Sequence, residues 1–208
     1  MEKAYRNVTI KAKSYSSSYS ITKRIFDILF SLCLLIPVLL VLFVMFILII
    51  IDSPGSPLYV QERLGQHGKT FNVFKLRSMK RDAEQEGVQW ATINDPRVTK
   101  LGRWMRRTRI DELPQLFNIL LGNMSFVGPR PERPYFYKQF EQDTPLFIAR
   151  LHVKPGLTGW AQVNGGYNLS PGEKLQYDLI YIKNTSLWFD IKILLYTIRI
   201  IFTGDGAR

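Results

Sequence analysis

Cysteine and histidine are scarce in this sequence. Its 208 residues include one cysteine, Cys33, and two histidines, His67 and His152. A single cysteine excludes an intrachain disulfide framework and a cysteine-rich metal site, and it fits a chain that faces the cytosol. Neither histidine has a second metal-ligating side chain at helical spacing, which disfavours a zinc site.

Common nucleotide-binding and hydrolase motifs are also missing. The sequence contains no Walker loop, no dinucleotide-binding glycine fingerprint and no Gly-x-Ser-x-Gly elbow. Acidic residues are outnumbered, 17 against 28 lysines and arginines, which gives a formal net charge of +11. This surplus suits nucleic acid, an anionic membrane surface or a phosphorylated substrate. No recognisable recognition helix or RNA-binding motif supports nucleic acid.

One long stretch has no charge at all. The run from Ile28 to Ile51 is 24 residues long, enough to cross a hydrocarbon core of roughly 30 Å. It is too long and starts too late for a cleaved signal peptide, and no small-residue cleavage site follows it. Pro37 removes one backbone hydrogen bond inside the run, so we predict a kink and identify this residue as the membrane break.

The charges around this run bear on its orientation. Basic residues lie on both sides of it: Lys3, Arg6, Lys11, Lys13, Lys23 and Arg24 before, and Lys69, Lys75, Arg77, Lys80 and Arg81 after. A spanning helix would leave one basic flank outside, against the positive-inside tendency. A helix that enters, bends at Pro37 and returns keeps both flanks in the cytoplasm. The pattern favours a re-entrant helix, with a spanning helix as the alternative.

The remaining sequence predicts an α+β fold that is mainly helical. Strands are predicted at Leu58–Gln61 and Phe71–Leu76, joined as a β-hairpin. Helices are predicted over residues 98–107, 112–121, 131–140, 144–151, 173–184 and 187–202. The last helix either caps the core or lies in the membrane interface. Its apolar face consists of Trp188, Ile191, Leu195, Ile198 and Phe202.

We predict three segments along the chain. Residues 1–22 form a polar, poorly ordered N-terminal segment, rich in serine and tyrosine. Residues 23–52 form the re-entrant membrane helix, and residues 53–208 form a small catalytic domain with the β-hairpin and interfacial helices.

Two adjacent carboxylates, Asp111 and Glu112, follow Arg106, Arg107 and Arg109. The planar fork of arginine suits phosphate oxygens. A carboxylate can act as a nucleophile where phosphate charge is neutralised, and Mg²⁺ is normally bound by one or two carboxylates plus substrate phosphates. The structural alternative is a helix start, where acidic residues suit the helix dipole.

Two later segments also carry ligand-binding side chains. Arg130 lies between Pro129 and Pro131, and this stiff backbone suits either a pre-placed phosphate contact or an ion pair with a surface carboxylate. The glycines between Lys154 and Gly166 allow close approach of a ligand to the backbone. This loop also carries uncharged hydrogen-bonding side chains of the kind that a sugar or nucleobase needs, namely Thr158, Gln162 and Asn164.

Taken in order, these segments resemble the bacterial sugar transferases called monotopic phosphoglycosyl transferases, or polyprenyl-phosphate sugar-1-phosphate transferases. The resemblance covers nearly all of the chain after residue 22. It is carried by KRIFD (23–27), FKLRSM (74–79), RIDELPQ (109–115), GNMSFVGPRP (122–131), PGLTGWAQVNG (155–165) and DIKI (190–193). Some members have Ser-Pro at the membrane break, whereas here Ile36 precedes Pro37. Larger members carry a further N-terminal membrane domain, so the chain resembles their minimal catalytic unit.

The resemblance implies a two-step reaction. Asp111 would attack the β-phosphate of a UDP-sugar and release UMP, and undecaprenyl phosphate would then take the phosphosugar from the carboxylate. The resemblance also implies Mg²⁺ at Glu112, with Asp111 as a second ligand. The residues expected to contact substrate phosphates are Arg106, Arg130, Lys75 and Lys154. The expected substrate loop comprises Pro129, Pro131, Thr158, Gln162 and Asn164.

The resemblance places this reaction at the inner leaflet of the bacterial cell membrane, with the catalytic domain on the cytoplasmic face. It would begin the synthesis of exopolysaccharide, capsule or another cell-surface glycan. Two other hypotheses are a basic scaffold that docks a polysaccharide assembly complex and, from charge alone, a membrane-tethered nucleic-acid binder. The sequence leaves the sugar open among glucose, galactose and N-acetylated hexosamines, and it leaves a homodimer open.

Overall fold

The computed structural model describes residues 17–203 except 86, 91 and 93. Most of the N-terminal segment predicted to be poorly ordered therefore lies outside the described residues. Residues 17–22 of that segment are helical, because the first helix already begins at Ser17.

The β-hairpin prediction is confirmed. Strand β1 (Leu58–Leu64) pairs antiparallel with β2 (Thr70–Leu76), with Leu58 opposite Leu76 and Leu64 opposite Thr70. β1 is longer than predicted, and a short 3₁₀ turn (Gln66–Gly68) closes the loop.

Helices make up most of the remaining fold. Helix α1 (Ser17–Asp52) precedes the hairpin, and α2 (Lys100–Thr108), α3 (Gln115–Leu121), α4 (Pro134–Asp143), α5 (Trp160–Val163), α6 (Pro171–Lys183) and α7 (Leu187–Thr203) follow it. Further 3₁₀ turns occupy Ile110–Glu112, Phe147–His152 and Gly166–Asn168. The α+β, mainly helical class is therefore confirmed.

Three predicted helices differ from the observed ones. The helix predicted over 112–121 begins only at Gln115, because Pro114 lacks an N–H and residues 110–112 form a 3₁₀ turn. The helix predicted over 131–140 begins at Pro134, a favoured first position after the extended Arg133. The predicted 144–151 helix is a 3₁₀ segment that starts after Leu146, whose φ is 72°.

Two short parallel strands were not predicted. β3 (Ser125–Val127) pairs with β4 (Gly156–Thr158), with Ser125 opposite Gly156 and Val127 opposite Thr158. Glycine allows the close approach at the end of this pair, because a Cβ on Gly128 would lie 2.3 Å from the Lys154 carbonyl oxygen.

Helix α1 has 36 residues and is long and apolar enough to cross a membrane by length and composition. Pro37 lies inside it. Val38, Leu42, Met45 and Ile49 form a buried stripe at helical spacing that belongs to the main hydrophobic core. The apolar residues on its other faces are exposed, among them Ile36, Leu40, Phe43 and Ile51.

Both ends of α1 contact the globular part of the chain. Near its start, the Arg24 guanidinium donates to the carbonyl oxygens of Ile119 and Leu120 at 2.6 and 2.7 Å and satisfies the open end of α3. Beyond its end, Arg77, which follows β2, donates to the carbonyl oxygens of Ser53 and Pro54. The helix thus packs against one domain from its first turns to its last.

The final helix, α7, exposes the apolar face that the sequence singled out. Trp188 and Leu195 are 75% and 60% exposed, whereas Asp190 and Ile193 on another face are buried. The helix therefore does cap the core, through Ile193 and its neighbours Phe189 and Leu194, while the face with Trp188 and Leu195 stays exposed. The side chain of Phe202 is not among those that the structure describes.

Candidate active site

The carboxylate pair lies in the 3₁₀ turn between α2 and α3. Arg109 ends α2 in the left-handed region, with φ 61°, and turns the chain toward Asp111. Both Asp111 and Glu112 are buried, each with 7% exposure, and both line the same cavity. Both acidic residues lie in the first turn of the 3₁₀ segment, as the helix-start alternative predicts, and α3 itself begins at Gln115.

Glu112 is held by two cations. Arg130 approaches it with both terminal nitrogens, at 2.6 and 3.4 Å, and the Lys75 ammonium lies 3.6 Å away. Burial alone would raise the pKa of Glu112, but the charges of Arg130 and Lys75 outweigh it and hold the pKa well below its usual range. Glu112 is therefore a fixed anion.

Asp111 has the opposite character. Burial, and after it the neighbouring Glu112 carboxylate, raises the pKa of Asp111 to about 6 despite the positive charges of Lys75 and Arg106 nearby. Near neutral pH this carboxylate is therefore mostly ionised but more basic than an ordinary aspartate. A buried, ionised carboxylate of raised basicity is a competent nucleophile.

The cavity above the pair has a volume of about 540 Å³, within the usual range for sites that bind small molecules. Its basic lining residues are Arg63, Lys75, Arg77, Lys80, Arg81, Arg106, Arg109, Arg130 and Arg133. Aromatic side chains of Tyr59, Trp90 and Phe136 also line it. This combination suits a ligand with several phosphate oxygens and a planar ring.

Neighbouring elements hold the cationic side chains in place. The Arg106 Nε donates to the Ser78 hydroxyl at 2.9 Å. The buried Asn118 side chain of α3 accepts from the Phe74 N–H at 3.0 Å and donates to the Asn72 carbonyl at 2.7 Å. These two bonds attach β2, which carries Lys75, to the helix that follows the carboxylates.

Arg150 is a buried residue that contacts the backbone of the Pro-Arg-Pro segment. It is 1% exposed, its Nε lies 2.5 Å from an Asp178 oxygen, and its Nη2 donates to the Arg130 carbonyl at 3.0 Å. Sequence reasoning missed Arg150, Asp178 and Asn118. A lone charge within the apolar stretch FIARLH was the available signal for Arg150.

A second cavity of about 240 Å³ adjoins the first. Four residues line both: Arg109, Glu112, Arg130 and Glu132. Thr158 and Gln162 of the predicted substrate loop line this second cavity, and the Thr158 hydroxyl is 2.7 Å from that of Thr197. These two loop residues thus share a cavity with Glu112, whereas Asp111 lines only the first cavity.

Several predicted site residues lie elsewhere. Lys154 lines a third cavity beside Lys23 and Arg24 near the start of α1, where burial and then the Arg24 charge lower its pKa. Its predicted contact with substrate phosphates receives no support from this position.

Three other residues of the predicted substrate loop form hydrogen bonds that involve the backbone. The Asn164 amide donates to the Trp160 carbonyl at 2.7 Å. The Pro129 carbonyl accepts from the Gly156 N–H at 3.0 Å, and the Pro131 carbonyl accepts from Arg63 at 3.1 Å. These bonds fix the direction of Arg130 between the two prolines.

The donor set fits Mg²⁺ but not a softer metal. Within the described residues there is no cluster of three or more His, Cys, Asp or Glu side chains. Two buried carboxylates beside a phosphate-sized basic cavity match the ligands that Mg²⁺ usually takes, which are one or two carboxylates plus substrate phosphates. Asp111 and Glu112 are the residues that could hold it.

Comparisons with known proteins identify the family of this chain. A family model described as bacterial sugar transferase matches residues 18–204. A UDP-N-acetylgalactosamine-undecaprenyl-phosphate N-acetylgalactosaminephosphotransferase of Aeromonas hydrophila is 44% identical over 93% of this chain and 46% of its own length. A UDP-glucose:undecaprenyl-phosphate glucose-1-phosphate transferase of Escherichia coli is 43% identical over 89% of this chain and 41% of its own.

A third relative, named galactosyl transferase CpsE, comes from Streptococcus agalactiae. It is 36% identical over 98% of this chain and 47% of its own length. The chain thus spans less than half the length of each of these three relatives. Their names refer to three different sugars.

Proposed function

This chain belongs to the bacterial sugar transferase family, and we propose that it transfers a sugar-1-phosphate from a UDP-sugar to undecaprenyl phosphate. The observation that carries the proposal is the buried pair Asp111 and Glu112 on the floor of a basic cavity. The two carboxylates have opposite pKa shifts, and such a division between neighbours is typical of groups with different catalytic roles.

In the first step, an Asp111 oxygen attacks the β-phosphorus of the UDP-sugar. A phosphorus–oxygen bond forms to the carboxylate, and the bond from that phosphorus to the bridging oxygen breaks, so UMP leaves with the bonding electrons. Arg106 and Arg130 would neutralise the phosphate oxygens, which otherwise repel an anionic nucleophile.

In the second step, a phosphate oxygen of the acceptor attacks the same phosphorus and the bond to Asp111 breaks. The products are undecaprenyl-diphosphate-sugar and the free carboxylate, so the enzyme is restored without net hydrolysis. Bound at Glu112 and Asp111, Mg²⁺ would neutralise phosphate charge during both displacements. We propose that this reaction begins the synthesis of a cell-surface glycan.

We further propose that α1 is re-entrant and that the catalytic domain faces the cytoplasm. The contacts of Arg24 with α3 and of Arg77 with residues 53 and 54 support this, because both ends of α1 reach the same domain. The buried stripe from Val38 to Ile49 is also in that domain's core. A spanning helix would instead place one end of α1 on the far side of the membrane, away from that domain.

The chemical step is tested by replacing Asp111 with asparagine. We expect purified wild-type protein to release UMP from at least one of a panel of UDP-sugars, and the Asp111→Asn variant to release none. Mass spectrometry of protein incubated with that UDP-sugar alone should find the phosphosugar adduct on the peptide that contains Asp111. An adduct on another residue, or full turnover by the variant, would refute the assignment.

The topology is tested with single cysteines. In a Cys33→Ser background, the exposed positions Ser20 and Ser56 are changed to cysteine one at a time. Neither should react with a membrane-impermeant thiol reagent that is added outside intact cells. Both should react once the reagent can reach the cytoplasmic face of the membrane. Labelling of the two positions from opposite sides would establish a spanning helix.

A further inference from the structure

The second cavity differs from the first in its chemistry and in the elements that form it. Its lining is mostly apolar, although Arg150 and Lys174 also belong to it. Helices α1, α5 and α7 contribute Leu34, Val38, Ala161, Leu194, Ile200 and Ile201, and other elements contribute Leu116, Phe126 and Leu157. We call this cavity the apolar cleft. The charged residues Arg109, Glu112, Arg130 and Glu132 line both cavities, so the apolar cleft adjoins the catalytic floor directly.

Two of the helices that wall the apolar cleft, α1 and α7, also carry most of the exposed large apolar side chains of the described residues. On α1 this surface includes Ile36, Leu40 and Phe43, and on α7 it includes Trp188 and Leu195. Ile201 belongs to both features, because it lines the cleft and is 44% exposed. The apolar cleft therefore leads from Glu112 and Arg130, beside Asp111, toward the surface best suited to lipid.

We propose that the apolar cleft receives the isoprene units of the acceptor nearest its phosphate. This proposal rests on the proposed function and adds where the lipid tail binds. A polyprenyl phosphate has one charged end and a long hydrocarbon chain, and only a site that joins cations to an apolar wall satisfies both. At about 240 Å³ the cleft is far smaller than a whole polyprenyl chain, so the remaining units lie outside it, in the bilayer.

The arrangement also separates the two substrates. The nucleotide-sugar enters the charged cavity with its aromatic lining, and the lipid enters from the apolar cleft on the other side of Glu112 and Arg130. Asp111 lines only the charged cavity, so the acceptor phosphate would reach it past the shared residues Glu112 and Arg130 while the tail stays in the apolar cleft. Leu194 becomes a determinant of acceptor binding, since its side chain narrows the apolar cleft without lining the charged cavity.

Two adjacent residues of α7 provide a matched test. Leu194 lines the apolar cleft, whereas Leu195 is 60% exposed and lines neither cavity. We would change each separately to tryptophan. Exchange of radiolabelled UMP into UDP-sugar without acceptor measures the first step alone. Transfer to isoprenyl phosphates of increasing length measures acceptor binding.

Leu194→Trp should retain UMP exchange but lose about tenfold or more of kcat/KM for undecaprenyl phosphate, because the added ring fills space that the tail needs. The kcat/KM of wild-type protein should rise with acceptor length, and this rise should be smaller in Leu194→Trp. Leu195→Trp should match wild type in both assays. Wild-type acceptor kinetics in both variants would overturn the proposal.

If Leu194→Trp loses UMP exchange as well, a photo-reactive isoprenyl phosphate tests the proposal on wild-type protein. Its diazirine is on the isoprene unit nearest the phosphate. Crosslinks in wild-type protein to residues of the apolar cleft, such as Leu34 or Ile200, would support the assignment. Crosslinks confined to the exposed faces of α1 and α7 would overturn it. It would also be overturned if a phospholipid probe labelled the cleft and undecaprenyl phosphate did not displace that probe. Absence of UMP exchange in wild-type protein would instead overturn the proposed function itself.

Discussion

Replacing Asp111 with asparagine should abolish activity and at the same time stabilise the fold. Burial and the nearby Glu112 charge hold the pKa of Asp111 at about 6, whereas an unfolded aspartate has a pKa near 3.9. The folded state therefore binds a proton more tightly than the unfolded state does. Consequently, the ionised carboxylate disfavours folding at every pH above about 6.

The size of this effect follows from the difference in pKa. A difference of about 2 corresponds to about 3 kcal/mol, since each unit of pKa is worth roughly 1.4 kcal/mol. Asparagine has nearly the same shape and no charge, so Asp111→Asn should recover most of this free energy at pH 8. For a domain of this size the gain corresponds to a rise in Tm of roughly 5–10 °C.

The pH dependence distinguishes this electrostatic cause from a change in packing. Below pH 4 the wild-type carboxyl is protonated in both states, so the advantage of the variant should vanish. It should grow through the interval from about 4 to 6 and stay constant above it. Thermal unfolding of both proteins in the same detergent, without Mg²⁺, at several pH values measures this directly.

The neighbouring carboxylate is the matched control. Glu112→Gln should lower stability at pH 8 by about 3 kcal/mol or more, because Arg130 and Lys75 would lose their buried partner. Added Mg²⁺ should reduce the advantage of Asp111→Asn, since a bound cation offsets the repulsion between the carboxylates. An Asp111→Asn variant no more stable than wild type at pH 8 would refute the electrostatic reasoning.

Three further predictions concern pH, positioning and backbone contact. The rate of UMP exchange should rise with pH through about 6 and then level, because Asp111 must be ionised to attack; a rate unchanged between pH 5 and 7 would contradict this. Arg150→Lys should reduce kcat for UMP exchange by up to about 10²-fold through loss of the bond to the Arg130 carbonyl, with a smaller change in KM, as steady-state kinetics would reveal. Gly128→Ala should destabilise the fold by about 1–3 kcal/mol, because its Cβ would lie 2.3 Å from the Lys154 carbonyl oxygen. Gly172→Ala is the control: its Cβ would have nothing within 4 Å, so it should not destabilise the fold in the same thermal unfolding assay.

Local sequence patterns predicted the elements that depend on neighbouring residues. The hairpin followed from two apolar runs around the Gly65–Gly68 turn, and the helix at Leu187 followed from its apolar spacing. Strands β3 and β4 have only three residues each, too few to show a period, and 28 residues separate their ends along the chain. Their pairing depends on close backbone contact at Gly128 and Gly156, which single-sequence patterns do not reveal.

The candidate site was predictable in its chemistry but only partly in its geometry. Motif resemblance selected Asp111, Glu112, Arg130 and Lys75, and these residues meet around one cavity. Lys154 was grouped with them because it adjoins a matching motif, yet the β3–β4 pair directs it to the start of α1. Arg150 was overlooked because its role depends on Asp178, which lies 28 residues away in α6.

The opposite behaviour of two adjacent carboxylates has one structural cause. The turn at Arg109 presents Glu112 to Arg130 and Lys75, whereas Asp111 shares the burial without an equally close cation pair. Glu112 therefore keeps its charge and orients Arg130, while Asp111 retains the basicity that a nucleophile needs. Exchanging the order of the two acidic residues would preserve composition and net charge but should abolish UMP exchange. Exchanging the residues would move each carboxylate by one methylene relative to the phosphate and to Arg130, a displacement large enough to prevent attack. A double variant Asp111→Glu, Glu112→Asp that kept wild-type exchange would refute this requirement for side-chain geometry.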